Sequence, residues 1–546
     1  MDLLIRYTVC IRSGRVMTGK RVAVIGGGLS GLVAIKTCLE NGLQPFCFER
    51  TSVIGGVWVY SDGTNRGQAS AMYNGLVTNT SKEMSCFSDF PFPKEYPPYL
   101  SIHHIIKYCR DYAKYHNLEE YISFNIEVTD VSPADDNQST GQWNITTRRI
   151  QQEQPIQHTD VFDAVMVCTG CYSNMKMPIY RGMDEFKGQI IHSNMFRKGA
   201  DFAGQNVLVI GASHSAGDVA TQCSHYANST YISLRSGCYV FSRRGPNGVP
   251  ADSVSNCRAV SKLPKFVRSK LIVRFIESRM DLDSLGLRSN KDIFSESTMV
   301  NDSLPDRILN GTLKVKSQID MFTENGIKFV DGTSIKDIDT VICATGYYTR
   351  FPFINREIFD DTKLELYKHV LSPEHPTLAF IGALGAQGAV APVVELQARW
   401  AASIFSRAID IPCLESRYRD AKRRINDMVK RYGYRKISVS LVPYQDDLAN
   451  DIGVKPTIDL FLTDPKLAFK VFFGPAYPPS YRLKGQHSWV GARAAIMNGW
   501  ENTTRPTKTR DVIKQNRGFK CTTSVCADFL IVVFLAIITK AFSQNC

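Results

Sequence analysis

The stretch that most constrains the fold is residues 21–34, RVAVIGGGLSGLVA. Val22–Ile25 form a short apolar run, which is typical of a buried parallel strand. Gly26, Gly28 and Gly31 follow at the spacing GxGxxG, and a helical pattern then begins. In such a unit the glycines permit a tight turn, the approach of backbone amides to a pyrophosphate, and close packing of helix on strand. The pattern predicts a dinucleotide-binding unit with the diphosphate at the helix N-terminus.

An acidic residue completes this unit. Glu49 ends a second apolar run, Pro45–Phe48, after the predicted helix. A carboxylate at this point can accept hydrogen bonds from a ribose diol. Strand, glycines, helix, strand and acid in this order favour a nucleotide site over a glycine-rich turn that binds nothing.

Length and charge narrow the class of protein. The 546 residues suffice for two or three domains, and the formal net charge of +13 favours anionic partners such as dinucleotides or acidic lipid surfaces. Basic residues do not form blocks with interleaved aromatics, so no nucleic acid is expected. The fifteen cysteines lack a framework spacing, which indicates a reducing, cytosol-facing compartment.

One cysteine pair allows a second interpretation. Cys168 and Cys171 form a CxxC, which in a flavin protein can be a redox dithiol. Cys168, however, ends the apolar run Ala164–Val167, where a buried structural thiol is common. The structural role is the favoured one, and the dithiol stays as an alternative.

A second strand–turn–helix pattern covers Asn206–Ala220. Its turn reads GxSxxA, with Gly211, Ser213 and Ala216 at the three positions. Alanine is allowed in third place, whereas Ser213 puts a side chain where backbone must approach phosphate. The next strand ends in Arg235 in place of an acid, which favours a 2′-phosphate and hence NADPH; a solvated surface arginine is the alternative.

Residues 262–279 predict a basic amphipathic helix. One side would carry its apolar residues and the other would offer cations to lipid headgroups. A core-packing helix with a basic outer face fits the same pattern equally well. The apolar residues are Leu263, Phe266, Val267, Leu271, Phe275 and Ile276, and the cations are Lys265, Arg268 and Arg274.

The two ends of the chain differ in character. Phe529–Ile538 is a run of ten apolar residues that covers about 15 Å as a helix, short of the bilayer core of about 30 Å. With a basic flank at Lys514, Arg517 and Lys520, it predicts a membrane anchor, with docking on the globule as the alternative. Residues 1–16 lack the apolar core of a signal peptide and predict a disordered extension.

Several motifs in order make the chain recognisable. Phe186–Phe196 matches the pattern FxGxxxHxxx(Y/F), and Thr78–Met84 (TNTSKEM), Ala344–Tyr347 (ATGY) and Glu395–Trp400 (ELQARW) add to it. Together they resemble the flavin-containing monooxygenases, the N-oxide-forming, dimethylaniline monooxygenase-like family. Baeyer–Villiger relatives end the first motif in tryptophan, so the phenylalanine at its end argues against them.

The resemblance implies an α/β fold with two Rossmann-like domains, in which an NADPH domain is inserted into a discontinuous FAD domain and a hydrophobic anchor ends the chain. The expected boundaries follow in chain order. They are an extension at 1–16, the first segment of the FAD domain at 17–180, the NADPH domain at 181–345 with a membrane-associating insert at 255–300, the second segment of the FAD domain at 346–510, and a basic linker with anchor at 511–546.

The resemblance also implies the chemistry. NADPH reduces FAD, dioxygen adds to the reduced flavin to give a hydroperoxide, and a soft nitrogen or sulfur atom of a small molecule takes up the oxygen. Membrane lipid is a further expected partner at the cytosolic face of the endoplasmic reticulum, and a homo-oligomer is compatible with the sequence. The alternatives are a dithiol reductase, an oxidase that releases hydrogen peroxide, a Baeyer–Villiger-type monooxygenase, and a membrane scaffold that has lost turnover through Ser213 and His214.

By the same resemblance, Asn79 is the catalytic residue. Its amide can donate a hydrogen bond without supplying a strong acid; an Asx-turn asparagine is the alternative. His192 is expected to be a hydrogen-bonding hinge between domains. The expected cofactor contacts are Gly26, Gly27, Gly28, Leu29, Ser30, Gly31, Glu49, Gly56, Val57, Trp58, Asn79, Thr80 and Gln397, with Gly211, Ser213, Ser215, Ala216, Gly217, Asp218 and Arg235 for NADPH.

Overall fold

The computed structural model describes residues 19–61, 72–150, 156–295, 298–433 and 438–510. The predicted extension at 1–16 and the predicted linker and anchor at 511–546 lie outside these ranges. Within the described part of the chain, no helix combines the length and the apolar character that crossing a bilayer requires.

The strands are short and lie between residues 21 and 440 of the described chain. In order they are β1 Arg21–Ile25, β2 Gln44–Glu49, β3 Ile122–Phe124, β4 Ile126–Pro133, β5 Trp143–Arg149, β6 Gln157–Phe162, β7 Ala164–Val167, β8 Asn174–Met175, β9 Gln189–His192, β10 Asn206–Ile210, β11 Ser229–Ser233, β12 Tyr239–Phe241, β13 Thr298–Val300, β14 Leu313–Lys316, β15 Ile319–Thr323, β16 Gly326–Phe329, β17 Ser334–Lys336, β18 Thr340–Cys343, β19 Tyr347–Tyr348, β20 Leu378–Phe380, β21 Gly385–Gln387 and β22 Ser438–Ser440.

The helices alternate with the strands along much of the chain, and after residue 440 the described chain is helical without further strands. In order they are α1 Leu29–Glu40, α2 Lys82–Ser85, α3 Ile102–Tyr115, α4 Asn137–Thr140, α5 His214–Cys223, α6 Ala251–Ser255, α7 Arg258–Ser261, α8 Lys265–Glu277, α9 Leu304–Leu309, α10 Ala391–Phe405, α11 Leu414–Tyr432, α12 Leu441–Asp451, α13 Leu460–Thr463, α14 Pro465–Phe473 and α15 Ala492–Thr504.

The first parallel sheet has the strand order β20-β7-β1-β2-β3. Ile25 at the end of β1 pairs with Val167 on one side and Phe48 on the other. Val22 and Val24 are completely buried, as expected for a central strand covered on both faces. The helix α1 lies over this sheet and packs against α10, so residues from both ends of the chain complete one layer.

The second parallel sheet has the order β14-β11-β10-β18-β9. Ile210 at the end of β10 pairs with Ser233 and with Cys343. The chain leaves the first sheet after β7, builds the second sheet, and returns to the first through β20. The antiparallel pair β8–β19 joins the outgoing and returning connections, with Tyr347 opposite Met175.

Local conformation departs from the sequence pattern at two places. The run Tyr121–Val131 is divided between β3 and β4 because Asn125 adopts a left-handed conformation, with φ at +58°. The amphipathic pattern of 262–279 becomes α8, but its apolar residues do not share one outward side. Leu263 and Ile276 are buried in the fold, whereas Phe266 is 66% exposed.

Candidate active site

The turn after β1 is shaped by contacts that only glycine permits. Gly26 has φ at +106°, and a Cβ there would lie 2.9 Å from the carbonyl oxygen of Cys168. A Cβ on Gly31 would lie 1.8 Å from the carbonyl oxygen of Gly26, so α1 packs directly on the turn. Gly31 therefore acts through packing, and the free amides at the start of α1 are left for a ligand.

A second glycine loop closes over this turn. Gly56 has φ at +56°, and its Cβ position would be 3.2 Å from the Cα of Gly28. The amide of Gly55 donates to the carbonyl of Gly27 at 3.1 Å. The two backbones thus form a narrow cradle without side chains, which suits the close approach of a diphosphate. Val57 and Trp58 follow in a single 3₁₀ turn.

Glu49 is held at the rim of this cradle. Its Oε2 accepts the amide hydrogen of Gly27 at 2.6 Å, and its Oε1 accepts the amide hydrogen of Thr51 at 2.7 Å. These bonds fix a buried carboxylate beside the cavity at the end of β2. The hydroxyl of Thr51 also donates to Oε1 at 2.7 Å, so Oε2 is the oxygen that keeps a lone pair for a ribose hydroxyl.

The turn after β10 repeats the construction. Gly211 has φ at +143°, and a Cβ there would lie 2.4 Å from the carbonyl oxygen of Ala344. A Cβ on Gly217 would lie 2.8 Å from the sulfur of Met299, so α5 packs closely on β13. Ala216 is fully buried in the same contact layer. Ala216 and Gly217 therefore support the turn through packing.

The unusual residues of this turn leave its phosphate side open. His214 is drawn away from the turn, since its Nδ1 accepts the amide hydrogen of Val300 at 2.9 Å. Ser213 precedes α5 with an exposed side chain that faces the cavity. A serine hydroxyl there can donate to a phosphate oxygen, which removes the physical basis for expecting the turn to reject a dinucleotide.

Asp218 links the unit built around the second sheet to the unit built around the first. Its Oδ2 accepts from the hydroxyl of Tyr73, and its Oδ1 accepts from the amide of Asn301 at 2.9 Å. Burial raises the pKa of Asp218. Because both oxygens are engaged, Asp218 positions the start of α5 beside the first unit.

Both turns open into one cavity of about 3460 Å³. This is several times the volume of an ordinary small-ligand pocket, and it leaves room for two dinucleotides and a substrate. The expected site residues that line it are Gly26, Gly28, Leu29, Ser30, Glu49, Gly56, Val57, Trp58, Asn79, Thr80, Gly211, Ser213, Ser215, Asp218 and Arg235.

Gln397 was expected to contact a cofactor, and the structure corrects this. Its side chain is completely buried and does not line the cavity. Its Oε1 accepts the amide hydrogen of Gly382 at 2.8 Å, and its Nε2 donates to the hydroxyl of Tyr444 at 2.8 Å. Gln397 therefore affects the cavity only through Gly382, where a Cβ would lie 2.8 Å from the hydroxyl of Ser30.

Asn79 is clamped by an arginine that the sequence did not indicate. Arg243 Nη2 donates to Asn79 Oδ1 at 2.9 Å and to the carbonyl of Val77 at 3.1 Å, and its Nε donates to the carbonyl of Thr78 at 2.9 Å. A guanidinium has donors only, so it fixes the oxygen of the Asn79 amide toward itself. The Nδ2 group of Asn79 is then left to donate into the cavity.

Two carboxylates from the unit around the second sheet hold Arg243 and the loop that carries Asn79. Asp302 accepts from Arg243 Nη1 at 3.3 Å and from the Arg243 backbone amide at 3.0 Å. Asp252 Oδ2 accepts from the amide of Ser81 at 2.8 Å and from its hydroxyl at 2.9 Å. Burial raises the pKa of Asp252 to about 6. The loop that carries Asn79 is thus held from the second unit at several points.

The cysteine pair has the wrong electrostatics for a dithiol. Burial raises the pKa of Cys171 to about 11 and that of Cys168 well above its ordinary value. A redox pair needs at least one thiol with a lowered pKa, because the thiolate is the nucleophile. The structure supports the structural role for both residues.

The histidine motif connects the second sheet to the returning chain. His192 Nε2 donates to the carbonyl of Gly346 at 3.0 Å, and its Nδ1 accepts the amide hydrogen of Asn194 at 3.1 Å. Phe186 and Phe196 at the ends of the motif are buried. Both ring nitrogens are engaged in hydrogen bonds, so neither is left for acid–base work, and the hinge role of His192 stays a prediction.

Comparison with known proteins decides the family. Residues 19–542 match the family model described as flavin-binding monooxygenase-like. The chain belongs to the flavin-binding monooxygenase-like family. It is therefore an oxidoreductase, as the resemblance implied.

Relatives of this flavin-binding monooxygenase span almost its whole length. Flavin-containing monooxygenase 5 of Cavia porcellus is 40% identical over 96% of this chain and 99% of its own length. The N-oxide-forming dimethylaniline monooxygenase 2 of Oryctolagus cuniculus is 39% identical over 90% of this chain and 94% of its own. The S-allyl-L-cysteine S-oxygenase of Allium sativum shares the fold, with a TM-score of 0.60 at 22% identity, over 89% of this chain and 99% of its own.

The residues present fit FAD and NADPH. Side chains at Gly28 or Gly56 would fill the first cradle, and the fixed carboxylate of Glu49 stands beside it. At the second turn, Arg235 is exposed at the cavity and forms no salt bridge with any described carboxylate, so its charge is available to a 2′-phosphate.

Sequence reasoning missed the residues that act across the two units. Tyr73, Arg243 and Asp252 belong to no recognisable local motif, and their partners lie between 145 and 171 positions away. The run Ser242-Arg-Arg offered no signal that distinguished its first arginine from its second.

Proposed function

We propose that this monooxygenase uses NADPH and FAD to transfer one atom of dioxygen to a soft nitrogen or sulfur atom of a small molecule. The observation that carries the proposal is the single cavity into which both glycine turns open, with Asn79 on its wall. Two separate pockets would not allow reducing equivalents to pass directly between two nucleotides. When bound, FAD supplies the electron transfer to dioxygen, and NADPH is the reductant.

The chain's own residues bind and orient. The N-termini of α1 and α5 would hold the two diphosphates, and Glu49 and Arg235, after β2 and β11, would recognise the two riboses. Asn79 Nδ2 would donate a hydrogen bond to a cofactor bound in the cavity. An amide is a suitable donor there because it stabilises negative charge without releasing a proton.

The experiment follows product and reductant together. The purified, FAD-loaded protein is given NADPH and thioanisole under ¹⁸O₂, and the sulfoxide is analysed by mass spectrometry. One ¹⁸O per sulfoxide, with close to one NADPH used, is the expected result. Hydrogen peroxide as the main product would favour an oxidase, and lactone formation from cyclohexanone in a parallel reaction would favour Baeyer–Villiger chemistry.

We also propose that the full chain is held at the cytosolic face of the endoplasmic reticulum membrane. The apolar run at residues 529–538 and its basic flank support this, as do the exposed Phe266 and Leu462, which are 66% and 88% exposed. Membrane fractions from cells that express the full chain or residues 1–510 test it. The full chain should sediment with the membrane marker, and recovery in the cytosol would contradict the proposal.

A further inference from the structure

One arginine of α8, Arg268, forms no salt bridge with a carboxylate of the described residues. Arg268 on α8 lines the cavity, and its Nε is buried without a hydrogen-bond partner. Burial and the neighbouring positive charge of Arg431 at the end of α11 both lower the pKa of Arg268. A positive charge at the cavity wall with a free Nε donor suits a bound anion.

Two described carboxylates close to Arg268 or Arg431 are already paired. Asp292 is held by Lys265 Nζ at 3.2 Å and by the hydroxyl of Ser269 at 2.9 Å. Asp427 lies one turn before Arg431 and pairs with Arg423 at 3.8 Å. Within the described ranges, no salt bridge joins Arg268 or Arg431 to a carboxylate.

The surroundings of Arg268 fit the charged end of an otherwise apolar molecule. The ring of Phe294 lies 5.0 Å from the Cζ of Arg268 and covers one face of the guanidinium. Leu271 and Phe275 of α8 and Ile425 of α11 line the same cavity. A planar guanidinium edge with an apolar wall suits a carboxylate on an aromatic or aliphatic body.

We propose that Arg268, with the positive charge of Arg431 in its neighbourhood, binds the carboxylate of an amphiphilic substrate whose soft sulfur or nitrogen atom is the one oxygenated. The inference rests on the proposed function and adds the substrate class: acids with an apolar body. A phospholipid headgroup has the same charge. The position of Arg268 on the wall of the cofactor cavity favours the small-molecule acid.

The test compares an acid with its neutral counterpart. The holoenzyme loaded with FAD and NADP⁺ is titrated with 4-(methylthio)phenylacetate and, separately, with its methyl ester, and Kd is measured by calorimetry. Arg268→Ala should raise the ratio of acid Kd to ester Kd by about tenfold or more, because one ion-paired hydrogen bond is lost. Arg431→Ala should raise it by a smaller factor.

Lys270→Ala is the matched control, since Lys270 is an exposed cation on the same helix that does not line the cavity. It should leave the ratio within about twofold of wild type. Equal ratios in Arg268→Ala and Lys270→Ala would overturn the inference. So would a loss of binding to phosphatidylserine vesicles in Arg268→Ala with an unchanged acid-to-ester ratio, because the occupant would then be a lipid.

The two proposals fail separately. Ester that is bound but not oxygenated when NADPH and air are supplied would contradict the proposed function, and the ratio of dissociation constants would still report on Arg268. Oxygenation of the ester with an unchanged ratio in Arg268→Ala would leave the function standing and remove the acid subsite.

Discussion

Replacing Arg243 tests whether the orientation of the Asn79 amide controls the reaction. Arg243→Ala removes the donors to Asn79 Oδ1, to the carbonyl of Thr78 and to the carbonyl of Val77, at distances of 2.9, 2.9 and 3.1 Å. The side chain is only 14% exposed, so solvent does little to weaken these bonds. The amide of Asn79 would then be free to turn its oxygen toward the cavity.

The magnitude follows from one of these bonds. A hydrogen bond to a charged group contributes about 1.5–3 kcal/mol, which corresponds to a preference of about tenfold to a hundredfold for one amide orientation. Without it, the two orientations become comparably populated, and an amide oxygen replaces the donor in a substantial share of molecules. We therefore expect FAD to remain bound while the fraction of NADPH that ends as released hydrogen peroxide rises severalfold.

The assay measures NADPH consumed, sulfoxide formed and hydrogen peroxide released in one reaction. Arg244→Ala is the matched control. The Arg244 side chain is next in the sequence, is 71% exposed, and reaches Asp302 only at 3.9 Å. Arg243→Lys keeps the charge without the fork and should fall between wild type and Arg243→Ala. Equal coupling in Arg243→Ala and Arg244→Ala would refute the reasoning.

Four further outcomes are expected. Arg235→Ala should raise the KM for NADPH about tenfold or more while the KM for NADH changes little, as measured by initial rates. Cys171→Ser should retain NADPH-dependent turnover, which a dithiol mechanism would abolish. Gly31→Ala should yield protein depleted in FAD by absorbance, because its Cβ would meet the Gly26 carbonyl at 1.8 Å. The pKa of Asp252 is raised from 3.8 to about 6, so the folded state holds the extra proton between these values and loses stability as pH rises from 3.8 through 6. The difference between the free energies of unfolding of wild type and Asp252→Asn, measured in urea, should shift by about 2 kcal/mol between pH 4 and pH 7 in favour of the variant, and a constant difference would contradict this.

Features that are encoded locally could be predicted from the amino-acid sequence. Strand, glycine turn and helix are neighbours along the chain, so the spacing alone assigned Gly26, Gly31 and Gly211 their conformational tasks. In the fold those glycines make the close contacts that the spacing implies. The family could also be identified in this way, because several short motifs occur in a fixed order.

The assembly of the two cofactor turns into one site depends on tertiary contacts. The partners of Asn79 and Ser81 are Arg243 and Asp252, which lie 164 and 171 positions further along and reach them because the inserted unit folds back over the first. Gln397 is the opposite case, a residue that a local motif indicated but that tertiary contacts keep away from the cavity. It belongs to a motif that resembles the family, yet its amide is engaged inside the core by Gly382 and Tyr444. Hydrogen bonds between distant segments leave no period or spacing in a single sequence, and so the fold alone shows which polar side chains reach the cavity.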